Sequence, residues 1–261
     1  MKTIAIAAAG SLLALWASTA NAATIVALSG DNTLVTVDTE TKAATATQTV
    51  SGAEGKLLGI DVRPSDKKLY GLFADGTVAT IDPATGAATK VDMLKMVPPA
   101  DATVTVDFNP AADALRIMGS DGTSLRTKFA DGAVTEDGRH SFAEGDMNKG
   151  STPNVIAGAY TNSYAGTEKT ALYNIDGTAG ALLHQDPPND GTLKSVGKLN
   201  VSLDGPVAFD ILSDGKGGNE AWLMSGAKLY SVDLASGAAT EAATITGVEG
   251  AVRDIAILPA M

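Results

Sequence analysis

Four aspartates recur at nearly regular spacing in short apolar runs, and they are the residues whose pattern most suggests chemistry. They are Asp61, Asp107, Asp210 and Asp254. The first two are 46 residues apart and the last two are 44 apart, while the interval of 103 between them fits two repeats with one enlarged turn. Buried carboxylates repel one another, and burial penalises each charge. Hydrogen-bond donors or a cation must therefore compensate this set.

Two kinds of partner could compensate the four aspartates. Backbone N–H groups of a neighbouring repeat would make each one a clamp between repeats, and we expect this arrangement. The alternative is a metal site in which the same four carboxylates bind Ca²⁺, a cation that prefers oxygen ligands. The fourth repeat has Gly158 or Ala159 at this place, which breaks the set and weakens the metal alternative. The sequence indicates no other cofactor.

The elements that position these aspartates are clearest in residues 57–91, LLGIDVRPSDKKLYGLFADGTVATIDPATGAATKV. Four short apolar runs are separated by Pro64-Ser65-Asp66, by Asp75-Gly76 and by the turn 83–86. Proline fixes φ and Asp-Gly favours a hairpin, so each break predicts a turn. No run reaches helical length. The pattern predicts an antiparallel unit of four strands, which needs neighbours to cover its faces.

Weaker copies of this unit fill the rest of the chain, and they predict an all-β fold. The predicted blades are 23–50 with 251–260, 57–92, 102–138, 154–199 and 206–248. The first copy has only three strands, and the run 252–258 matches the strand that it lacks. A closed ring hides its strand edges, whereas an open array needs caps. We therefore predict one domain, 23–261, that forms a five-bladed β-propeller closed by its C-terminal strand.

Residues 1–22 predict a bacterial signal peptide rather than a part of the fold. Lys2 is followed by the apolar run 4–16, and Ala20-Asn21-Ala22 is a small-residue cleavage site. The apolar run is too short to span a membrane comfortably. No cysteine follows the site, which excludes a lipoprotein anchor. We expect cleavage after Ala22, a periplasmic or extracellular location, and no membrane insertion of the mature chain.

The charge of the chain limits its partners. It has 30 acidic and 19 basic residues, and because Lys2 lies in the leader the mature chain has a net charge of −12. Polyanions such as nucleic acids would be repelled, since phosphate binding needs a basic surface. The charge otherwise keeps an exported protein soluble. We expect a monomer whose partner is an unidentified small molecule or protein.

Catalytic motifs are missing from the sequence. There is no HExxH, GxSxG, GxxxxGK[ST] or GxGxxG pattern, and the chain has no cysteine. His140 and His184 fall at strand exits on opposite faces of the predicted blades. A metal site shared by these histidines is therefore not expected, and each is interpreted as a loop residue.

Two long loops and one strand end supply candidate ligand-binding residues. His140 and Asp146 lie in the loop 140–153, and Asn189 lies in the loop 185–191. Tyr160 and Asn162 follow at the end of a first strand. Loops on rigid scaffolds often carry function. We nevertheless expect a solvated insertion for both loops and packing for Tyr160, and ligand binding is the alternative.

Several short motifs carry a resemblance across the mature chain. They are GIDVRP (59–64), LYGL (69–72), IDPATG (81–86), DFNP (107–110), AYTN (159–162), LYNID (172–176) and DPPNDGTL (186–193). In this combination the chain resembles the bacterial family of the domain of unknown function 4394 (DUF4394). The resemblance implies a repeat β fold and export, and it implies no activity. Residues 127–131 depart from the DPATG-like turn that the resemblance implies in the third blade.

These observations leave three functional hypotheses open. We expect an exported, non-catalytic binding or scaffold protein. The alternative is a metal-dependent hydrolase or lactonase that uses acidic residues at the central channel, a hypothesis that depends on analogy between folds. A surface or matrix component is a third possibility.

Overall fold

Five sheets follow one another around a common axis. Each consists of short strands joined by turns, and it needs its neighbours to cover its faces. The structure, a computed structural model, describes residues 23–129 and 131–259. The predicted leader, residues 1–22, lies outside the described residues. Within the described part of the chain no helix is long and apolar enough to span a membrane.

The strands are numbered in chain order and grouped by blade. Blade 1 contains β1 (Thr24–Ser29), β2 (Thr33–Asp38), β3 (Ala43–Thr49) and β21 (Val252–Leu258). Blade 2 contains β4 (Leu57–Val62), β5 (Leu69–Phe73), β6 (Thr77–Ile81) and β7 (Ala88–Met93). Blade 3 contains β8 (Val104–Asn109), β9 (Ala114–Gly119), β10 (Ser124–Thr127) and β11 (Thr135–Glu136). Blade 4 contains β12 (Ser141–Phe142), β13 (Val155–Tyr160), β14 (Leu172–Asp176), β15 (Ala181–Gln185) and β16 (Thr192–Lys198), with the 3₁₀ turn Pro188–Asp190 before β16. Blade 5 contains β17 (Val207–Ser213), β18 (Asn219–Ser225), β19 (Lys228–Val232) and β20 (Ala239–Thr244).

The C-terminal strand closes the ring as the sequence predicts. β21 pairs antiparallel with β1, so that Ile257 lies opposite Ile25 and Ile255 opposite Ala27. The five inner strands, β21, β4, β8, β13 and β17, contact one another in a closed cycle. The prediction of a five-bladed β-propeller completed by residues 252–258 is therefore confirmed.

The hydrophobic core is divided into clusters that lie between adjacent blades. Extensive clusters join blades 1 and 2, 2 and 3, 4 and 5, and 5 and 1. The seam between blades 3 and 4 differs, because its apolar cluster consists of Met118, Tyr160 and Leu172. Burial of apolar side chains from both partners stabilises each seam, so the blades depend on one another for their cores.

The third blade departs from its predicted bounds. The sequence predicts strands over 124–129 and 133–136, but β10 ends at Thr127 and β11 has two residues. Phe129 adopts a left-handed φ of 58°, and its ring stacks on Tyr70 at 5.6 Å between centroids. The Thr127 hydroxyl accepts a hydrogen bond from the Phe129 N–H and donates one to the Ala133 carbonyl. Packing of Phe129 on blade 2 thus ends the strand early.

The loop 140–153 contributes a short fifth strand to blade 4. β12 pairs in parallel with β16, placing Ser141 opposite Thr192. Phe142 is buried in the cluster with Leu183 and Leu193. This part of the loop is anchored by an apolar side chain, so the expected solvated insertion is wrong for Ser141 and Phe142.

Candidate functional site

The four recurrent aspartates lie on the inner strands and bind the backbone of the neighbouring blade. Asp254 on β21 accepts a hydrogen bond from the Ile60 N–H of β4 at 2.9 Å. Asp61 on β4 accepts one from the Phe108 N–H of β8 at 2.7 Å. Each carboxylate therefore joins its own blade to the next one around the ring.

The other two aspartates make the same kind of contact. Asp107 on β8 accepts from the Tyr160 N–H of β13 at 3.1 Å. Asp210 on β17 accepts from the Ile257 N–H of β21 at 2.7 Å. A second oxygen of Asp61, Asp210 and Asp254 also accepts the N–H of the residue that follows it. These bonds supply donors to buried carboxylates that would otherwise be unpaired.

The seam between blades 4 and 5 lacks this carboxylate. Tyr160 follows Ala159 and donates to Asp107, as Phe108 follows Asp107 and donates to Asp61, so Ala159 occupies the equivalent place. Two asparagines bridge this seam instead. The Asn162 N–H donates to Asn219 Oδ1 at 2.7 Å, and Asn219 Nδ2 donates to Asn162 Oδ1 at 3.0 Å.

Three of the aspartates come close together near the axis. Asp61, Asp107 and Asp210 each offer one carboxylate oxygen within 4.8 Å of the others, and all three side chains are buried. Asp254 is also buried, at 2 % exposure. We call these four side chains the axial carboxylates.

Burial has a strong effect on the protonation of the axial carboxylates. It raises the pKa of Asp61 and Asp107 well above the usual range, and the neighbouring carboxylates raise it further. Burial also raises the pKa of Asp254, and it raises the pKa of Asp210 to about 6 against the backbone donors that lower it. The four groups share a site in which full ionisation is costly, and an added positive charge would relieve that cost.

A cavity opens onto the axis at the face where the inner strands β4, β13, β17 and β21 end. Its volume is about 730 Å³, and Asp61 and Asp210 form part of its lining. Leu212, Ile257 and Leu258 supply apolar wall. We call this space the axial cavity. Its size and its mixture of apolar wall and a few convergent polar groups are typical of small-molecule sites.

Two of the candidate ligand-binding residues, Tyr160 and Asn189, belong to a buried polar cluster between blades 3 and 4. Arg116 is 2 % exposed; its guanidinium donates to Tyr160 Oη at 2.7 Å and to Asn189 Oδ1 at 2.6 Å. It also forms an ion pair with Asp137 at 3.0 Å, and Arg126 pairs with the same carboxylate. Asn189 and Tyr160 thus fill the seam that is poor in apolar contacts. The one signal of this cluster in the sequence is an arginine inside the apolar run ALRIM.

The remaining candidates lie apart from the axial cavity, except for Asn162. Asp146 accepts hydrogen bonds from the Ser195 N–H at 2.6 Å and from the Ser195 hydroxyl at 2.9 Å, which ties its loop to β16. His140 is buried, both ring nitrogens lack a partner in the described structure, and burial together with Arg116 lowers its pKa to about 4. His184 lies within β15 and stacks on Tyr173 of β14, so its interpretation as a loop residue is wrong. Asn162 reaches the cavity wall through its bonds to Asn219.

Several solved structures align with this chain. A protein of unknown function from Bacteroides caccae is 10 % identical, with 92 % of this chain and 100 % of that one aligned at a TM-score of 0.47. Another from Bacteroides thetaiotaomicron VPI-5482 is 14 % identical, with 78 % of this chain and 53 % of that one aligned at 0.50. The extracellular domain of a protein from B. thetaiotaomicron, described as a putative one component system, is 13 % identical. The alignment covers 84 % of this chain and 28 % of that one, with a TM-score of 0.40.

These likenesses concern the fold, since the identities are low. No curated protein matches the sequence. The model of one family, described as Domain of unknown function (DUF4394), matches residues 33–256, which is nearly all of the described chain. The chain therefore belongs to the DUF4394 family.

Proposed function

We propose that this protein is an exported, non-catalytic binding protein that takes a small ligand bearing a positive charge in the axial cavity. The observation that carries the proposal is the position of Asp61 and Asp210, which line a cavity of about 730 Å³ and belong to a crowded set of buried carboxylates. An ammonium group would offset the repulsion and desolvation that these carboxylates experience.

The surroundings of the cavity support binding rather than catalysis. Neither His140 nor His184 contributes to its lining. Among the described lining residues, the serines Ser163 and Ser213 donate their hydroxyls to the backbone carbonyls of Tyr160 and Gly218. A serine nucleophile needs an adjacent base, and these contacts supply none.

A metal-dependent hydrolase is the second candidate, and the closeness of Asp61, Asp107 and Asp210 favours it. Three carboxylate oxygens within 4.8 Å could provide part of the six to eight ligands that Ca²⁺ takes. Backbone N–H groups already use one lone pair of several of these oxygens. The fit to Ca²⁺ is therefore partial, and the proposal for an organic cation is the stronger one.

Thermal unfolding in the presence of putrescine or of Ca²⁺ tests the proposal. Putrescine, a diamine, is expected to raise the melting temperature of the wild-type protein, because binding to the folded state adds stability. Asp210→Asn removes a carboxylate from the lining and should abolish most of the rise. Asp233→Asn makes the same change at an exposed turn and should keep the rise in full.

The outcomes separate the two candidates. A rise that Asp210→Asn abolishes supports the binding protein, whereas no rise, or an equal rise in Asp210→Asn, contradicts it. A rise with micromolar Ca²⁺ that EDTA reverses and Mg²⁺ does not reproduce supports the metal site instead.

A further inference from the structure

Two lysines border the axial cavity above its acidic lining. Lys67 lies in the loop between β4 and β5, and Lys216 lies in the loop between β17 and β18. Both side chains are exposed, and neither forms an ion pair with a described residue. They belong to blades 2 and 5, so the end of blade 1 lies between them. The mouth of the cavity therefore presents two ammonium groups on separate sides.

Local backbone contacts hold both lysines at these places. The Lys67 N–H donates to the Arg63 carbonyl at 2.8 Å, which closes the turn after β4. The Lys216 N–H donates to Asp214 Oδ1 at 2.7 Å, and the same oxygen accepts from the Gly218 N–H. The Asp214 carboxylate is thereby engaged by its own loop. Glu220 is the remaining acidic residue of the wall, and it is exposed.

The buried charges of the described cavity lining are acidic, and its positive charges lie at the open end, where Asp214 and Glu220 are exposed as well. Asp61 and Asp210 are 7 % and 6 % exposed, whereas Lys67 and Lys216 are open to solvent. Leu258 and Pro259, at the end of blade 1, supply apolar wall between the two lysines. A ligand that matches this distribution has a cation at its inner end, a neutral middle and an anion at its outer end.

We infer that the axial cavity takes a chain-like zwitterion, such as a short peptide with free ends, with its ammonium group at Asp61 and Asp210 and its carboxylate at Lys67 and Lys216. This inference rests on the proposed function and adds the outer half of the ligand to it. Exposed ion pairs contribute up to about 1 kcal/mol each, so the outer carboxylate should improve binding about fivefold.

Calorimetric titration with four probes tests the inference on the whole protein. Trialanine carries both charges, trialanine amide lacks the carboxylate, and N-acetyl-trialanine lacks the ammonium. The compound 6-aminohexanoate carries both charges without peptide groups, and it distinguishes a peptide site from a general zwitterion site. The wild-type protein is expected to bind trialanine about fivefold more tightly than trialanine amide, and N-acetyl-trialanine should bind more weakly than the amide because it loses the contact with the buried carboxylates.

Variants assign each end of the ligand to its partners. The double variant Lys67→Met/Lys216→Met should bind trialanine and its amide equally, while its affinity for the amide stays at the wild-type value or rises. Lys56→Met, at the opposite end of β4, is the matched control and should keep the preference for the free acid. Both lysines of the double variant are exposed, so its melting temperature without ligand should equal that of the wild type.

The results also separate this inference from the proposed function. If the wild type binds the amide as tightly as trialanine, or if the lysine variants keep the preference, the zwitterion is wrong. Binding of putrescine together with failure of both zwitterions would overturn this inference and leave the proposed function standing. Failure of all these probes, putrescine included, would overturn both.

Discussion

The axial carboxylates combine two opposing influences at single residues. Backbone N–H groups of the adjacent inner strand stabilise the ionised form, while burial and neighbouring carboxylates disfavour it. For Asp210 burial prevails and raises the pKa to about 6, compared with an ordinary value of about 3.9. A shift of this size corresponds to about 3 kcal/mol between the two protonation states.

The pH dependence of stability follows from the raised pKa of Asp210. Below about pH 4 these groups are protonated in both folded and unfolded states, and stability is not reduced. As the pH rises towards and through the folded pKa of about 6 for Asp210, the unfolded state loses its proton more readily, so the free energy of unfolding falls. The asparagine in Asp210→Asn cannot titrate, so the free energy of unfolding of this variant should fall less between pH 4 and 6.5 than that of the wild type. Urea unfolding across this range measures the slopes. Equal slopes for the variant, the wild type and Asp233→Asn would contradict the assignment.

Arg116 provides a second prediction at the residue scale. Arg116→Met removes the buried donor to Tyr160 and Asn189 and leaves Asp137 with Arg126 alone. Breaking a buried charged pair costs about 3–5 kcal/mol, whereas an exposed pair contributes about 1 kcal/mol or less. Chemical denaturation should therefore show a far larger loss for Arg116→Met than for Arg126→Met, which shares the same aspartate. A loss below about 1 kcal/mol for Arg116→Met would show that the cluster does not hold the seam.

Individual roles were predictable only where the repeat marks them. Asp61, Asp107, Asp210 and Asp254 share one place in the repeat, so their common environment follows from spacing. Arg116 binds Tyr160 and Asn189, which are 44 and 73 residues away in the sequence. Such a convergence depends on how two blades face each other, and no local pattern records it. Asn189 and Tyr160 are candidates from their loop and strand end alone, and the sequence predicts neither contact with Arg116.

At the scale of elements, β21 has the largest structural role. It supplies Val252, Ile255 and Ile257 to the seam between blades 5 and 1, and it carries Asp254. It also provides the N–H group that Asp210 binds. Loss of this strand removes contacts on both sides of blade 1.

A chain that ends at Gly250 should consequently lose cooperative unfolding, because β1 would become an open edge and the ring would not close. Circular dichroism during heating measures the sharpness of the transition. A chain shortened only to Pro259 keeps every described strand and should unfold as the wild type does. A sharp transition at the wild-type temperature in the Gly250 form would contradict the role of β21.

The turns and strands were largely predictable because their signals are local. Asp-Gly and Pro-containing turns set the bounds of β4 to β7, and repetition extended the interpretation to weaker copies. The strand bounds of the third blade were not predictable in this way, because Phe129 lies outside β10 and packs against Tyr70 and Phe108 in the seam between blades 2 and 3. Tertiary packing outweighs strand propensity at such a position.

For the whole molecule, export is the prediction that places the proposed ligand in a bacterial compartment. Cleavage after Ala22 would make Ala23 the first residue, and its N–H already donates to Thr39 Oγ1 at 2.9 Å. Expression in a bacterial host followed by cell fractionation and N-terminal sequencing should find a periplasmic or secreted chain that begins at Ala23. A cytoplasmic chain that still carries residues 1–22 would contradict the predicted signal peptide.

Proton release on binding tests the central account most directly, because it connects the ligand to the axial carboxylates. Calorimetry of putrescine binding at pH 6 in two buffers with different ionisation enthalpies measures that release. The account predicts a heat of binding that differs between the buffers, as the bound cation expels protons from Asp61 and Asp210, and a smaller difference in Asp210→Asn. The same heat in both buffers, or no binding at all, would contradict it.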